Sequence, residues 1–271
     1  MNRENRLNLF DKRSLLFLPA SNPRAIAKAR ASSADLVVLD LEDAVKAEDK
    51  ASAREAAVAA VAEAWPMPVA IRVNGSASMW HAEDVVAVGG SRAELVIVPR
   101  VSSPDEIEVV TAAVSSPVAA MIETAAGVLA AASVARVAAA LIAGTNDLSA
   151  DLKLPPGAGR APLQAALQFI LIAARAAGVA AFDGVYNKLD DEAGLAAECA
   201  DSRLLGFDGK SLIHPAQIAA CHAAFAPTVD ELARAERLVM AATGGAERFE
   251  GAMIEDMHVA AARRLLERSR R

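Results

Sequence analysis

Short apolar runs alternate with longer segments of helical composition along almost the whole chain. The runs at 15–18, 36–39, 69–73, 95–98, 118–122, 140–143, 179–182 and 204–207 predict eight strands. Most are apolar throughout rather than alternately polar, the pattern of parallel strands covered on both faces. The segments at 23–31, 50–64, 79–88, 104–114, 128–135, 162–177, 191–200 and 215–224 predict helices between them. Asn22-Pro23 and Ser103-Pro104 each put a capping side chain ahead of a proline suited to the first helical turn. Asp105 and Glu106 then fall where the helix dipole favours carboxylates, and Gly178 is a glycine stop.

Strand–helix alternation repeated eight times has two main solutions, a closed barrel or an open doubly wound sheet. The open dinucleotide fold wants GxGxxG directly after its first strand. Here that strand runs into Pro19-Ala20-Ser21-Asn22-Pro23, and the only GxG, Gly157-Ala158-Gly159, sits in a proline-containing loop. The pattern therefore predicts a (β/α)8 TIM barrel over 1–227 with a C-terminal helical extension over 228–271. Within the extension, 228–242 reads as an amphipathic helix opened by a Thr228/Glu231 capping box. Gly244-Gly245 breaks the chain, 246–253 reads as a turn or short extended piece, and 255–268 is helical with a basic end that includes Arg270 and Arg271. Such an appendage suits a lid or an arm exchanged between subunits.

Composition narrows the function. Of 271 residues, 54% are hydrophobic but only 4% aromatic, so the core is aliphatic. The net charge of −6 offers no global field for nucleic acid or an anionic membrane, so any anionic substrate must be caught by a few local cations or a metal. Cys199 and Cys221 make neither a disulfide framework nor a CxxC metal pattern, as expected of thiols in a reducing compartment. With no secretory-type apolar segment and no clean run of about 20 apolar residues, the expectation is a cytoplasmic protein without a membrane partner.

In a (β/α)8 barrel the reactive groups follow the strands at their carboxyl ends. Those positions hold Asp40, Glu42, Asp43, Arg72, Arg100, Glu123, Asp147, Asp183, Asp208 and Lys210. So many carboxylates at one mouth repel unless a cation joins them, and Mg²⁺ is the hard, oxygen-seeking candidate. Glu123 directly follows VAAMI, and a carboxylate ending a buried strand demands a partner. Other members have plainer readings: Asp40, Glu42 and Asp43 as caps of the following helix, Asp147 as the cap of a short turn, Arg72 as a structural ion pair. The Arg72 fork equally suits bidentate capture of a substrate carboxylate. His81, His222 and His258 read as packing or surface residues, and His214 sits at a loop–helix junction. Neither GxSxG nor HExxH occurs.

RSLLFLPASNPRAIAKA, DLEDAV followed by DKASAR, IRVN, IETAAGV, GTNDLSADL, FDGVY and GFDGKSLIHPAQI occur in this order. Together they resemble the citrate lyase beta-subunit branch of the HpcH/HpaI aldolase family, over about four-fifths of the chain. The resemblance implies a Mg²⁺-dependent barrel assembled as trimers or hexamers. Its implied chemistry is cleavage or formation of carbon–carbon bonds in acyl-CoA or acyl-carrier thioesters such as citryl-, malyl- and citramalyl-thioesters, with a 2-oxo acid as the other partner. It makes Glu123 and Asp147 metal ligands and Arg72 the holder of the oxo-acid part. Glu42 and Asp43 become water-holding neighbours, Asp151 a support, and Phe17 and Arg24 the lining of the thioester or CoA entrance. Where relatives carry GxMxDxP, this chain reads Gly251-Ala252-Met253-Ile254-Glu255-Asp256-Met257, so Glu255 stands for an acid/base aspartate delivered from a neighbouring subunit. Ala20 stands where relatives often have glycine. The competing expectations are a metal-dependent aldolase on free 2-oxo acids, a Schiff-base aldolase using Lys210, and a non-catalytic barrel subunit.

Overall fold

The computed structural model describes residues 7–269; Arg270 and Arg271 of the basic C-terminal end lie outside them. The chain forms two compact units, one running to His222 and the other from Ala223.

In the first unit eight parallel strands close on themselves in sequence order. They are β1 (Ser14–Pro19), β2 (Leu36–Asp40), β3 (Val69–Arg72), β4 (Leu95–Val98), β5 (Val118–Ile122), β6 (Ala140–Ala143), β7 (Ala180–Asp183) and β8 (Gly209–Leu212). Closure comes from β1 pairing with β8, Ser14 opposite Lys210 and Leu16 opposite Leu212. The helices are α1 (Pro23–Arg30), α2 (Lys50–Ala62), α3 (His81–Gly89), α4 (Pro104–Ala113), α5 (Ala125–Val134), α6 (Thr145–Asp151), α7 (Gln164–Ala177), α8 (Glu192–Leu205) and α9 (Ile218–Phe225). The expected caps form: the Asn22 side chain accepts from Arg24 and Ala25 N–H, and Ser103 and Glu106 close a capping box. Gly178 ends α7 in the left-handed conformation at φ 72°.

The barrel interior is one largely aliphatic cluster taking alternate residues of β1 to β7, among them Leu15, Leu36, Val38, Ala70, Ile97, Met121, Ile142 and Phe182. The intervening residues, such as Val37, Leu39, Ile71 and Val96, are equally buried. They face the helical layer, which is why the strands read as continuously apolar.

One strand expectation is overturned. The run 204–207 is not the eighth strand: Leu204 and Leu205 finish α8, and Gly206 at φ 109° caps it. Leu204 is 85% exposed, so its apolarity marks no strand. The real β8, Gly-Lys-Ser-Leu, carries a fully buried lysine that breaks the expected apolar run.

In the second unit α10 (Val229–Ala241) starts from a Thr228/Glu231 capping box. The segment read as a turn or short extended piece is a hairpin of β9 (Glu247–Phe249) and β10 (Ala252–Ile254), and α11 (Asp256–Ser269) follows. Ala235, Leu238, Ile254 and Ala262 form its small core. Glu250, at the hairpin tip with φ 46°, pairs with Arg234 and Arg237 of α10. Among the described residues no helix is long and apolar enough to cross a membrane.

Candidate active site at the carboxyl end of the barrel

The inward alternation decides which strand ends reach the mouth. Two residues beyond Val38, Ala70 and Met121 on the same inward face come Asp40, Arg72 and Glu123. These charged side chains lie on top of the apolar core, and all three line a cavity of about 350 Å³ with Phe17, Asp43 and Asp147. Its walls are residues of the first unit throughout.

Arg72 is the best-anchored of them. Its Nε and Nη2 donate to the two carboxylate oxygens of Asp40, each at 2.6 Å, in a buried fork. Nη1 faces Glu42 at 3.0 Å and Asp43 at 3.8 Å, and the Phe17 ring lies 5.4 Å from the guanidinium. Burial works against the charge, but the surrounding carboxylates hold the Arg72 pKa above its ordinary value. Asp40 also accepts from the N–H groups of Glu42 and Ala44, so it does cap the turn while anchoring the arginine. Burial, opposed by Arg72 and helped by the neighbouring Asp43, pushes the Glu42 carboxyl up to about 8.

The Glu42-Asp43 turn is held by a lysine that sequence reading passed over. Lys50 Nζ donates to the carbonyls of Leu41 and Glu42 and to Asn74 Oδ1, each at 2.7 Å, which uses all three of its protons. Asn74 in turn donates to Leu41 O and to the buried Asp84, which pairs with Arg54. The available signal was position: a cation in the first turn of a helix opposes the dipole, so Lys50 opening α2 needed another purpose.

Glu123 is 2% exposed. Burial, against the pull of Arg72 and with the repulsion of Asp147, pushes its carboxyl up to about 7. Its Oε1 accepts the Arg100 N–H at 2.7 Å, and the Arg100 guanidinium donates to Asp147 Oδ1 at 2.7 Å. Arg100 thus spans both carboxylates. It does so from a left-handed backbone, φ 55°, that non-glycine residues rarely adopt. Asp147 sits in the first turn of α6, a full helix where the sequence suggested only a turn. The two carboxylates suit a hard divalent cation that takes one or two protein oxygens and keeps water in its other positions. Among the described residues no cluster of three histidine, cysteine or acidic side chains suits a metal, so an all-protein cage is not built here. A backbone made close at Gly144 completes the fit: a Cβ there would strike the Glu123 side chain.

The remaining predicted residues divide. Phe17 and Asp43 line the cavity, whereas Glu42 lines a neighbouring one with Lys50, Trp80 and Arg100. Asp151 is exposed and accepts the Ala125 N–H at 2.7 Å, which ties α6 to the start of α5 just beyond Glu123. Arg24 is exposed in the first turn of α1 and does not line the cavity. Glu255 belongs to the second unit, between β10 and α11, where its N–H donates to His258 Nδ1 at 2.9 Å.

Three strand-end candidates are corrected. Asp183 follows the inward Phe182 and therefore faces outward, as does its β8 partner Lys210. Lys210 Nζ pairs with Asp183 at 2.7 Å and Glu198 at 2.8 Å, and the Ser202 hydroxyl and Arg160 also bind Asp183. This ionic cluster lies between barrel and helices, which removes Lys210 as a Schiff-base lysine. Asp208 precedes β8 and accepts from Ala181 N–H and Arg175, so it sits at the amino end of the strands.

A family model described as HpcH/HpaI aldolase/citrate lyase matches residues 13–215, and one described as C–C bond lyase of the TIM-barrel fold matches residues 160–271. A (3S)-malyl-CoA thioesterase of Cereibacter sphaeroides is 39% identical over 266 residues, covering 94% of this chain and 93% of the relative. Citrate lyase subunit beta of Escherichia coli is 31% identical, covering 95% and 93%. Among solved structures, protein CitE of Mycobacterium tuberculosis in complex with magnesium, acetoacetate and coenzyme A superposes with a TM-score of 0.87. It is 32% identical, and the match covers 97% of this chain and all of that one. The closed barrel, the strand-end charges and these matches together make the chain a member of the HpcH/HpaI aldolase/citrate lyase family.

Proposed function

We propose that this protein is a Mg²⁺-dependent carbon–carbon lyase acting on a 3-hydroxyacyl-CoA thioester such as citryl-, malyl- or citramalyl-CoA. It splits the thioester into a 2-oxo acid and an acyl-CoA, or joins them in reverse. The observation that carries this reading is the pair Glu123 and Asp147 in one cavity with Arg72. Magnesium held by these two carboxylates supplies Lewis-acid stabilisation of negative charge developing on a substrate oxygen. Arg72, locked by Asp40, sets a fixed positive charge opposite the carboxylates for the acid group of the substrate. Asp43 and Glu42 hold water beside it, and Asp151 steadies the helix starts behind Glu123. Phe17 flanks the thioester, and Arg24 meets the CoA at the entrance. Glu255 acts as acid/base from a neighbouring copy of the chain in a cytoplasmic trimer or hexamer, with CoA or an acyl carrier holding the substrate.

A second reading is hydrolysis of the same thioester to the free hydroxy acid and CoA, favoured by the relatives named (3S)-malyl-CoA thioesterase. One panel separates the two: citryl-, malyl-, citramalyl- and methylmalyl-CoA with Mg²⁺ or EDTA, measuring 2-oxo acid and free thiol in parallel. Lyase action releases 2-oxo acid without thiol, and hydrolysis releases thiol without 2-oxo acid. Turnover that survives EDTA overturns the metal assignment.

A further inference from the structure

The β8–β1 wall of the barrel faces the β4–β5 wall that carries Arg100 and Glu123. On it, Phe17, Leu18 and Ile213, with Val185 beyond β7, present apolar surface to the cavity. One polar side chain interrupts them. Ser211 lies between the outward Lys210 and Leu212, so it points inward. It is 1% exposed and lines the cavity, and its Oγ has no hydrogen-bond partner. A buried hydroxyl left unpaired is unfavourable, so its place on a cavity floor is that of a group completed by what fills the cavity.

We infer that the Ser211 hydroxyl donates a hydrogen bond to the thioester carbonyl of the acyl half of the substrate. The inference rests on the lyase reading for the identity of the ligand and adds a residue to it. The 2-oxo acid half, rich in negative charge, belongs with Arg72 and the Glu123/Asp147 pair. The bond to be broken leads away from them, toward the opposite wall. A thioester is the less polar half and suits an apolar surface with a single donor. As the 3-hydroxyl gives its proton to the acid/base and becomes the 2-oxo carbonyl, the carbon–carbon bond breaks, its electron pair moves onto the α-carbon of the thioester half, and charge spreads to the thioester carbonyl oxygen until that carbon takes up a proton. A donor already aimed there stabilises the charge without reorganisation.

The test compares wild type with Ser211→Ala by calorimetric titration of acetyl-CoA, free CoA and oxaloacetate in Mg²⁺ buffer, with thermal unfolding of each protein. Acetyl-CoA should bind Ser211→Ala about tenfold more weakly, the worth of one buried hydrogen bond. CoA and oxaloacetate should bind as before, and Tm should hold or rise, because no intramolecular bond is lost. Unchanged acetyl-CoA affinity overturns the inference. So does an equal loss for CoA, or a fall in Tm that marks Ser211 as a structural residue. Wild-type turnover on the thioester panel reports separately on the lyase reading, so the two can fail independently.

Discussion

Gly144, between β6 and α6, is the sharpest point at which to test the two-carboxylate site. Its backbone, φ −100° and ψ 83°, is open to any residue, so only proximity demands glycine there. A Cβ at Gly144 would lie 2.5 Å from Glu123 Cβ and 3.0 Å from its Cδ, with Oε2 also in conflict. Carbon atoms pack at roughly 3.5–4.0 Å, so Gly144→Ala must push the stem of Glu123 back by about 1 Å. Rotating the carboxylate away does not relieve a clash with Cβ. A displacement of about 1 Å in a catalytic group lowers turnover about a hundredfold, close to 2.7 kcal/mol of transition-state stabilisation. The overpacking itself lowers stability by about 1–3 kcal/mol. Gly89→Ala is the control: its Cβ would meet Ala113 O at 2.5 Å, where α3 and α4 end, and neither residue lines the cavity. The assays are kcat/KM from 2-oxo acid release, Mg²⁺ titration by calorimetry, and urea unfolding. Gly144→Ala should lose turnover and Mg²⁺ affinity, while Gly89→Ala should lose stability alone. Wild-type kcat/KM and Mg²⁺ affinity in Gly144→Ala would refute the claim that Glu123 must sit where the structure holds it.

Glu123→Ala should abolish turnover and calorimetric Mg²⁺ binding; activity near normal in metal-free buffer would remove the residue from the site. Arg72→Met leaves the buried Asp40 carboxylate without its fork, so urea unfolding should show a loss of about 3–5 kcal/mol beside lost turnover. Lys210→Met takes the buried ammonium from Asp183 and Glu198, which keep Arg160, and should destabilise by a smaller amount, while borohydride with substrate fails to label Lys210 in wild type. Burial raises the Asp183 pKa, but Lys210 and Arg160 outweigh it and hold the group below the ordinary value near 3.8. The unfolded chain therefore takes up this proton first as pH falls. The stability Asp183 contributes is complete well above its unfolded value and fades as pH drops through that value toward the lower folded one. Urea midpoints across that range should fall less steeply in Asp183→Asn, which has no such proton to bind.

Legibility followed how local each cause was. Glu123 could be read because a carboxylate closing a buried apolar run stands out in any context. Asp40, Arg72 and Glu123 could not be sorted from Asp183, because strands apolar on both faces conceal which residues point inward. The true β8 was hidden by Lys210, whose burial is balanced by Asp183, Glu198 and the helix layer, all distant in sequence. Arg100 stood among the strand-end residues, but its grip on both carboxylates depends on a left-handed backbone that nothing in Pro-Arg-Val announces. Lys50 gave a faint sign in its unfavourable helix position, yet its acceptors come from the loops after β2 and β3.

The amino-acid sequence by itself determined the succession of strands and helices, most of the caps, the closed parallel architecture and the family. These follow from periodicity, cap chemistry and ordered motifs, which act within a few residues or along the chain. Only the tertiary structure decided which charges share the mouth, which are sequestered behind the strands, and that a serine on the far wall stands unpaired. Those outcomes depend on the phase of side-chain alternation after barrel closure, and one residue of phase moves a charge from the cavity to the helix layer.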